Sequence, residues 1–258
     1  MTTKVTGERV STPEGGFNPT FQRHVAAYAL CEPFLPAGAR VLDLGCGAGH
    51  SFHLLAPRTT VGVDLDPGAL AGQARETHVA DMRALPFGNG AFDAVLSVHS
   101  VEHVPDARPV LSEVARVLTD DGVAVFVTPN RLTFGRPDEI IDPYHHVEYD
   151  AGQLRALAQT AFADVQIHGI SGSAAVQQFI DGEKRRMDLV LAVDVLRLRR
   201  RLPRRVLQWA YDTALRLTRR RTTPEAAAID VTDFTLTAEH LDDVLDVVAV
   251  CRLPLRPS

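Results

Sequence analysis

The sequence predicts an α/β fold, a doubly wound sheet of seven strands with helices on both faces. Three observations predict it. Over the first two-thirds of the chain, short apolar runs alternate with helical patterns, the signature of βαβ units and a parallel sheet. The run Val41-Leu42-Asp43-Leu44 ends in glycines at three alternate positions, Gly45, Gly47 and Gly49, as a buried strand does when it turns sharply toward a helix. The linkers between elements are only a few residues long, as compact α/β units require.

Taken in order, the polar residues 1–16 read as a flexible N-terminus ahead of a domain spanning 17–258. A helix over 19–35 precedes the sheet. Apolar runs place strands at 40–44, 60–64, 78–81, 92–98 and 122–128. Asp66 followed by Pro67 predicts an N-cap with proline at the first helical position, and Pro105 with Asp106 opens a helix toward Leu118. Asp120-Asp121-Gly122 predicts a turn. A helix over 150–161 leads to a strand at 165–170. Beyond Gly172 the alternation stops for a basic helical insertion, 174–228, with arginine-rich amphipathic helices over 181–201 and 203–221. A helix over 238–245 and a last strand at 246–251 complete the sheet.

With 258 residues, 45% hydrophobic and 23% charged, the chain can bury a large core, which excludes disorder, collagen and coiled coil as overall descriptions. No stretch approaches the roughly 20 apolar residues of a membrane span, and the start lacks an apolar export signal, so a cytoplasmic protein is expected. Cys31, Cys46 and Cys251 have no CxxC spacing and are expected to be buried thiols. The net charge of −5 hides an asymmetry: thirteen basic and three acidic residues between Lys184 and Arg221 give that segment +10, leaving −15 on the rest.

The chemistry concentrates where three strands end. Glycines 45, 47 and 49 let a ligand approach the backbone, and the helix start expected behind them would offer free N–H groups. Asp64, closing the second strand about twenty positions on, can accept hydrogen bonds from two ribose hydroxyls. Asp81 and Met82 add a second carboxylate and an apolar plate. Together they describe a nucleoside site. A dinucleotide fits less well, because the NAD fingerprint needs glycine or alanine where His50 stands.

These motifs, VLDLGCGAG, VGVDLDP, VADMRALPFGNGAFDAV, SVEHVPD, LTDDGVAVFVTPN and PYHHVEY in that order, resemble the class I S-adenosylmethionine-dependent methyltransferases of the broad type 11 group, over about residues 41–170. The TPN and PYH elements are most similar to the quinone-biosynthesis O-methyltransferases. The resemblance implies a seven-stranded, Rossmann-like methyltransferase sheet with S-adenosyl-L-methionine as cofactor. It implies that Gly45, Gly47 and Gly49 line the methionine and ribose, that Asp64 holds the ribose hydroxyls, and that Asp81 faces the adenine amino group between Leu65 and Met82. Val98 and His99 would stand near the sulfonium.

Methyl transfer from a sulfonium releases a neutral leaving group, so positioning and water exclusion carry much of the catalysis. For a hydroxyl or phenol acceptor a histidine is the natural proton acceptor, and His103 and His145 are the expected catalytic residues, ahead of His99 and His146. The quinone enzymes carry Glu-Val-Val-Glu-His, linked to a divalent metal, where this chain has His99-Ser100-Val101-Glu102-His103. With the first glutamate replaced, no metal is expected at His99, Glu102 and His103.

The insertion is expected to form a lid over the site of a small-molecule, lipid-like acceptor, with O-methylation as the reaction. Leu189, Ala192, Val193 and Leu196, then Val206, Leu207, Trp209, Ala210, Leu215 and Leu217, give its helices apolar stripes. Such a segment can touch an anionic membrane surface through 184–221. Nucleic acid is disfavoured, since only Trp209 and Tyr211 could stack on bases. RNA methylation and a non-catalytic cofactor-binding module that docks through the insertion are the rival readings. Aminopropyl transfer lacks the acidic residues an amine acceptor needs.

Overall fold

A computed structural model describes residues 12–14, 17–134, 140–193, 202–218 and 223–256. Most of the N-terminus expected to be flexible therefore lies outside the described residues, as do arginines 197, 199–201 and 219–221 and the side chains of Leu189, Ala192, Val193, Leu196, Leu215 and Leu217.

The strands are β1 (Arg40–Leu44), β2 (Thr59–Asp64), β3 (Glu76–Val79), β4 (Phe92–Val98), β5 (Leu118–Pro129), β6 (Phe162–Gly172), β7 (Phe234–Thr237) and β8 (Asp246–Pro254). They form one eight-stranded sheet in the order β3-β2-β1-β4-β5-β8-β6-β7. The five strands from β3 to β5 run parallel, whereas β8 pairs antiparallel with both β5 and β6. The order reverses between β1 and β4, which opens a crevice at their carboxyl ends.

Alternating side chains divide the core in two. Leu42, Leu44, Val61, Val63 and Phe126 face α3 (Arg108–Val117) and α5 (Ala151–Ala158). Val41, Leu96, Val125, Val127 and Val248 face α1 (Asn18–Cys31) and the start of α6 (Ala174–Val193). Both faces are covered, so β1 and β4 are buried at nearly every position rather than at alternate ones.

Several expectations are corrected. The sheet has eight strands, not seven, because Phe234-Thr235-Leu236-Thr237 pairs antiparallel with residues 169–172 at the edge of β6. The glycine loop opens no α-helix; Phe52–Leu55 make one 3₁₀ turn, and Pro57, which has no N–H to donate, stops it. The helix begun at Asp66 is genuine, with its carboxylate accepting from the Gly68 N–H at 2.8 Å, but α2 (Pro67–Leu70) is a single turn that Gly72, at φ +80°, does not extend. The turn at 120–122 lies within β5, where Phe92 pairs with Leu118 and Ala94 with Val123, so residues 119–122 bulge out.

Residues 238–245 form turns instead of a helix. The Asn130 amide donates to the carbonyls of Leu241, Asp242 and Val244 at 3.0–3.2 Å, and the Thr133 hydroxyl also donates to Val244 O at 2.6 Å. These side chains take the acceptors that helical N–H groups would have used.

Between β6 and β7 the chain forms α6, α7 (Arg204–Thr218) and α8 (Pro224–Ala228); α4 (Arg131–Phe134) is a single turn after β5. The Asn18 side chain at the start of α1 donates to Ala226 O and Ile229 O, tying α8 to the body.

Candidate cofactor and acceptor site

One cleft collects the ends of β1, β2 and β4. It is lined by His24 and Tyr28 of α1, by Gly45, Cys46, Gly47, Ala48 and His50, by Asp64 and Leu65, by Ala80 and Met82, and by Val98, His99, Ser100, His103 and Val104. Gly45 has φ +72°, and a Cβ there would stand 2.5 Å from the Ser100 Cβ; the sharp turn under Ser100 is open only to glycine. At Gly47, φ +52°, an added Cβ would meet nothing within 4 Å, so this backbone faces open space. The Asp64 carboxylate is buried and holds the loop by accepting from the Gly47 N–H and the Asp66 N–H, each at 2.9 Å.

Beneath the loop lies a polar group that motif reading missed. Asp43, fully buried, accepts from the Tyr28 hydroxyl at 2.7 Å and stands 2.7 Å from the Arg75 guanidinium. Burial pushes the Asp43 carboxyl up, against the pull of Arg75 and Tyr28. Arg75 donates to Gln73 Oε1 at 2.9 Å and lies over the Phe52 ring, and Gln73 donates to Gly47 O at 2.8 Å. The acid inside VLDLG was the only signal in the sequence; its partners are 15 and 32 residues away.

Of the residues expected to hold the cofactor, Gly45, Gly47, Asp64, Leu65, Met82 and Val98 line the cleft, and Gly49 and Asp81 flank it without lining it. Asp81 is engaged by Arg83, whose guanidinium and backbone N–H hold its carboxyl below the usual range. Leu65, 61% exposed, and Met82 are apolar parts of the same lining. The open backbone at Gly47, a buried acid beside it and two apolar plates fit a nucleoside with a charged tail.

On the acceptor side the histidines separate. His103 lines the cleft, with Nδ1 3.2 Å from Tyr144 O. His145 stands behind it, ring centroids 5.3 Å apart, paired through Nδ1 with Glu148 at 3.1 Å. Burial lowers the His145 pKa, but Glu148, Asp142 and Glu102 together raise it above the usual value. His99 takes a different partner: Nε2 lies 2.7 Å from Asp246 Oδ1, and its φ of +48° is a left-handed backbone that a histidine rarely adopts. Asp246 is fully buried and also grips Arg23. Burial would raise its carboxyl, but Arg23 and His99 hold it well below the usual range.

His99 is therefore committed to Asp246. The metal-capable group among the described residues is Glu102, His103 and His145, with one ligand atom each within 4.8 Å of the others. All three cysteines are buried and free, and burial pushes the Cys46 thiol up to about 12.

Comparison with known proteins agrees with this geometry. A methyltransferase domain model matches residues 42–126. A protein of Mycobacterium tuberculosis named a probable S-adenosylmethionine-dependent methyltransferase is 30% identical over 264 residues, covering 97% of this chain and 89% of that one. A fatty-acid O-methyltransferase of Mycolicibacterium smegmatis is 32% identical over 156 residues, 56% of this chain and 54% of its own. Among solved structures, a SAM-dependent methyltransferase of Thermotoga maritima shares the fold with a TM-score of 0.60 at 14% identity, over 92% of this chain and 91% of that one. The glycine loop, the acid-tipped strands and a relative matched along nearly the whole chain give one result: the chain belongs to the S-adenosylmethionine-dependent methyltransferases.

Proposed function

We propose that the chain methylates a hydroxyl oxygen of a small, lipophilic acceptor, with His99 as the base. The observation that carries this reading is the His99–Asp246 pair in the wall of the cofactor cleft. S-adenosylmethionine supplies an electrophilic methyl group on a sulfonium. Asp246, held ionised by Arg23, anchors His99 through Nε2, which turns the other ring nitrogen, Nδ1, into the candidate proton acceptor. That nitrogen is the base for the acceptor's proton, while S-adenosylmethionine, when bound, would supply the methyl group and leave as the neutral thioether. Asp246 is a positioning residue. His103, in the same cleft lining, is the group that meets the acceptor in this reading, with His145 packed against it.

The insertion is the lid in this reading. Arg204 of α7 donates to Pro143 O at 2.7 Å and to His145 O, and the Tyr144 hydroxyl donates to Asp212 of α7 at 2.9 Å. Tyr144 O in turn contacts His103, so α7 is linked to the cleft wall through one loop. The oxygen acceptor named for the fatty-acid relative supports the chemical class.

Calorimetric titration with S-adenosylmethionine and S-adenosylhomocysteine tests the cofactor half, and Asp64→Ala is expected to weaken both by tenfold or more. Turnover on a panel of phenols, hydroquinones and isoprenoid alcohols then tests the acceptor half. His99→Asn, which tolerates the left-handed backbone, and Asp246→Asn are expected to cut kcat about 10²-fold, typical of a lost general base, with cofactor affinity kept. Cofactor binding without turnover on any hydroxyl would replace this reading with the non-catalytic module.

A further inference from the structure

We propose that the outer face of α7 docks on an anionic lipid bilayer. This goes beyond the acceptor reading and stands without it. Around α7, Arg204, Gln208, Tyr211 and Asp212 form one side, and all four bind the loop 142–146: Gln208 donates to Pro143 O, Tyr211 contacts Asp142, and Arg204 and Asp212 bond as described above. At 100° per residue, Val206, Trp209 and Ala210 fall on the opposite side. That side faces water: Trp209 is 70% exposed, Val206 43%, and Leu202, just before the helix, 46%. A soluble domain has no packing reason to show water a tryptophan, a valine and a leucine within eight residues.

The charge of the segment that carries the face names the occupant. Arg205 is exposed beside it, and the segment 184–221 carries +10 on a chain whose remainder carries −15. Near an anionic surface the basic segment is drawn in while the acidic body is repelled, so the molecule arrives with α7 foremost. A lone aromatic flanked by aliphatic residues and arginine on a short amphipathic helix suits the boundary between headgroups and acyl chains. No helix among the described residues is long and apolar enough to cross a membrane, so the contact is peripheral. The docked face of the same helix holds the loop that meets His103, and membrane contact would therefore bring the cleft mouth to the bilayer.

The test uses the full chain and its single tryptophan. Trp209 emission and co-sedimentation are followed with vesicles of phosphatidylcholine alone and of phosphatidylcholine with phosphatidylglycerol. The expected result is a blue shift and sedimentation with the mixed vesicles only, both lost at high salt. Val206→Ser and Trp209→Ser each lower vesicle binding roughly tenfold, while S-adenosylhomocysteine affinity, which checks the fold, is unchanged. No blue shift and no sedimentation would overturn the proposal. So would a blue shift that grows with protein concentration without vesicles, which would assign the face to a second copy of the chain.

Discussion

The two walls of the cleft are built from different materials. On the cofactor side, backbone is fixed by buried charge: Asp64 ties the glycine loop, and Asp43 and Arg75 neutralise each other beneath it. On the side of His103, an inserted helix is held by partly buried side-chain hydrogen bonds to one loop. A buried ion pair is costly to break and holds one geometry, whereas partly buried hydrogen bonds each contribute only about 1 kcal/mol. The comparison teaches that one wall of the cleft is fixed by buried charge, while the other is joined to the inserted helix by hydrogen bonds through a single loop.

The contrast can be broken first at Asp43. Asp43→Asn strands the buried Arg75 charge and is expected to destabilise the fold by about 3–5 kcal/mol, read from denaturant midpoints. Next, Gly45→Ala forces a Cβ against Ser100 at a positive φ, with an expected loss of about 2–3 kcal/mol and of measurable S-adenosylhomocysteine binding. A milder perturbation is pH. His24 and His50 have pKa values lowered by burial and by neighbouring histidines, His50 to about 4. The unfolded chain protonates both near pH 6.5 and the folded chain does not, so stability falls as pH drops below about 6.5. His50 alone accounts for about 2 kcal/mol by pH ~5, measurable as a falling melting temperature. The smallest effect sharpens the comparison from the other side: Arg204→Ala is expected to cost about 1 kcal/mol or less and to raise the acceptor KM while leaving cofactor affinity unchanged.

Much of the cofactor wall was legible because its parts are contiguous. Gly45 and Gly47 need glycine for their own positive φ, Asp64 closes its own strand, and strand runs buried on both faces announce themselves. Residues 238–245 misled for the opposite reason: their helical pattern is local, while the amide of Asn130 that claims their carbonyls is more than a hundred residues away. The four-residue β7 carries too little pattern to be read apart from the strand it completes. The His99–Asp246 pair was not legible, because nothing near His99 in sequence hints at a carboxylate 147 residues on.

By itself, then, the sequence determined the doubly wound class, the glycine loop, the acid that closes β2 and the cofactor they serve, since each is written in the periodicity and conformational limits of adjacent residues. The tertiary structure alone decided that His99 meets Asp246, which arginine neutralises Asp43, and which face of α7 remains in water. Those choices depend on charges and surfaces that become neighbours only when distant segments pack, and desolvation makes each such meeting either strongly favourable or untenable.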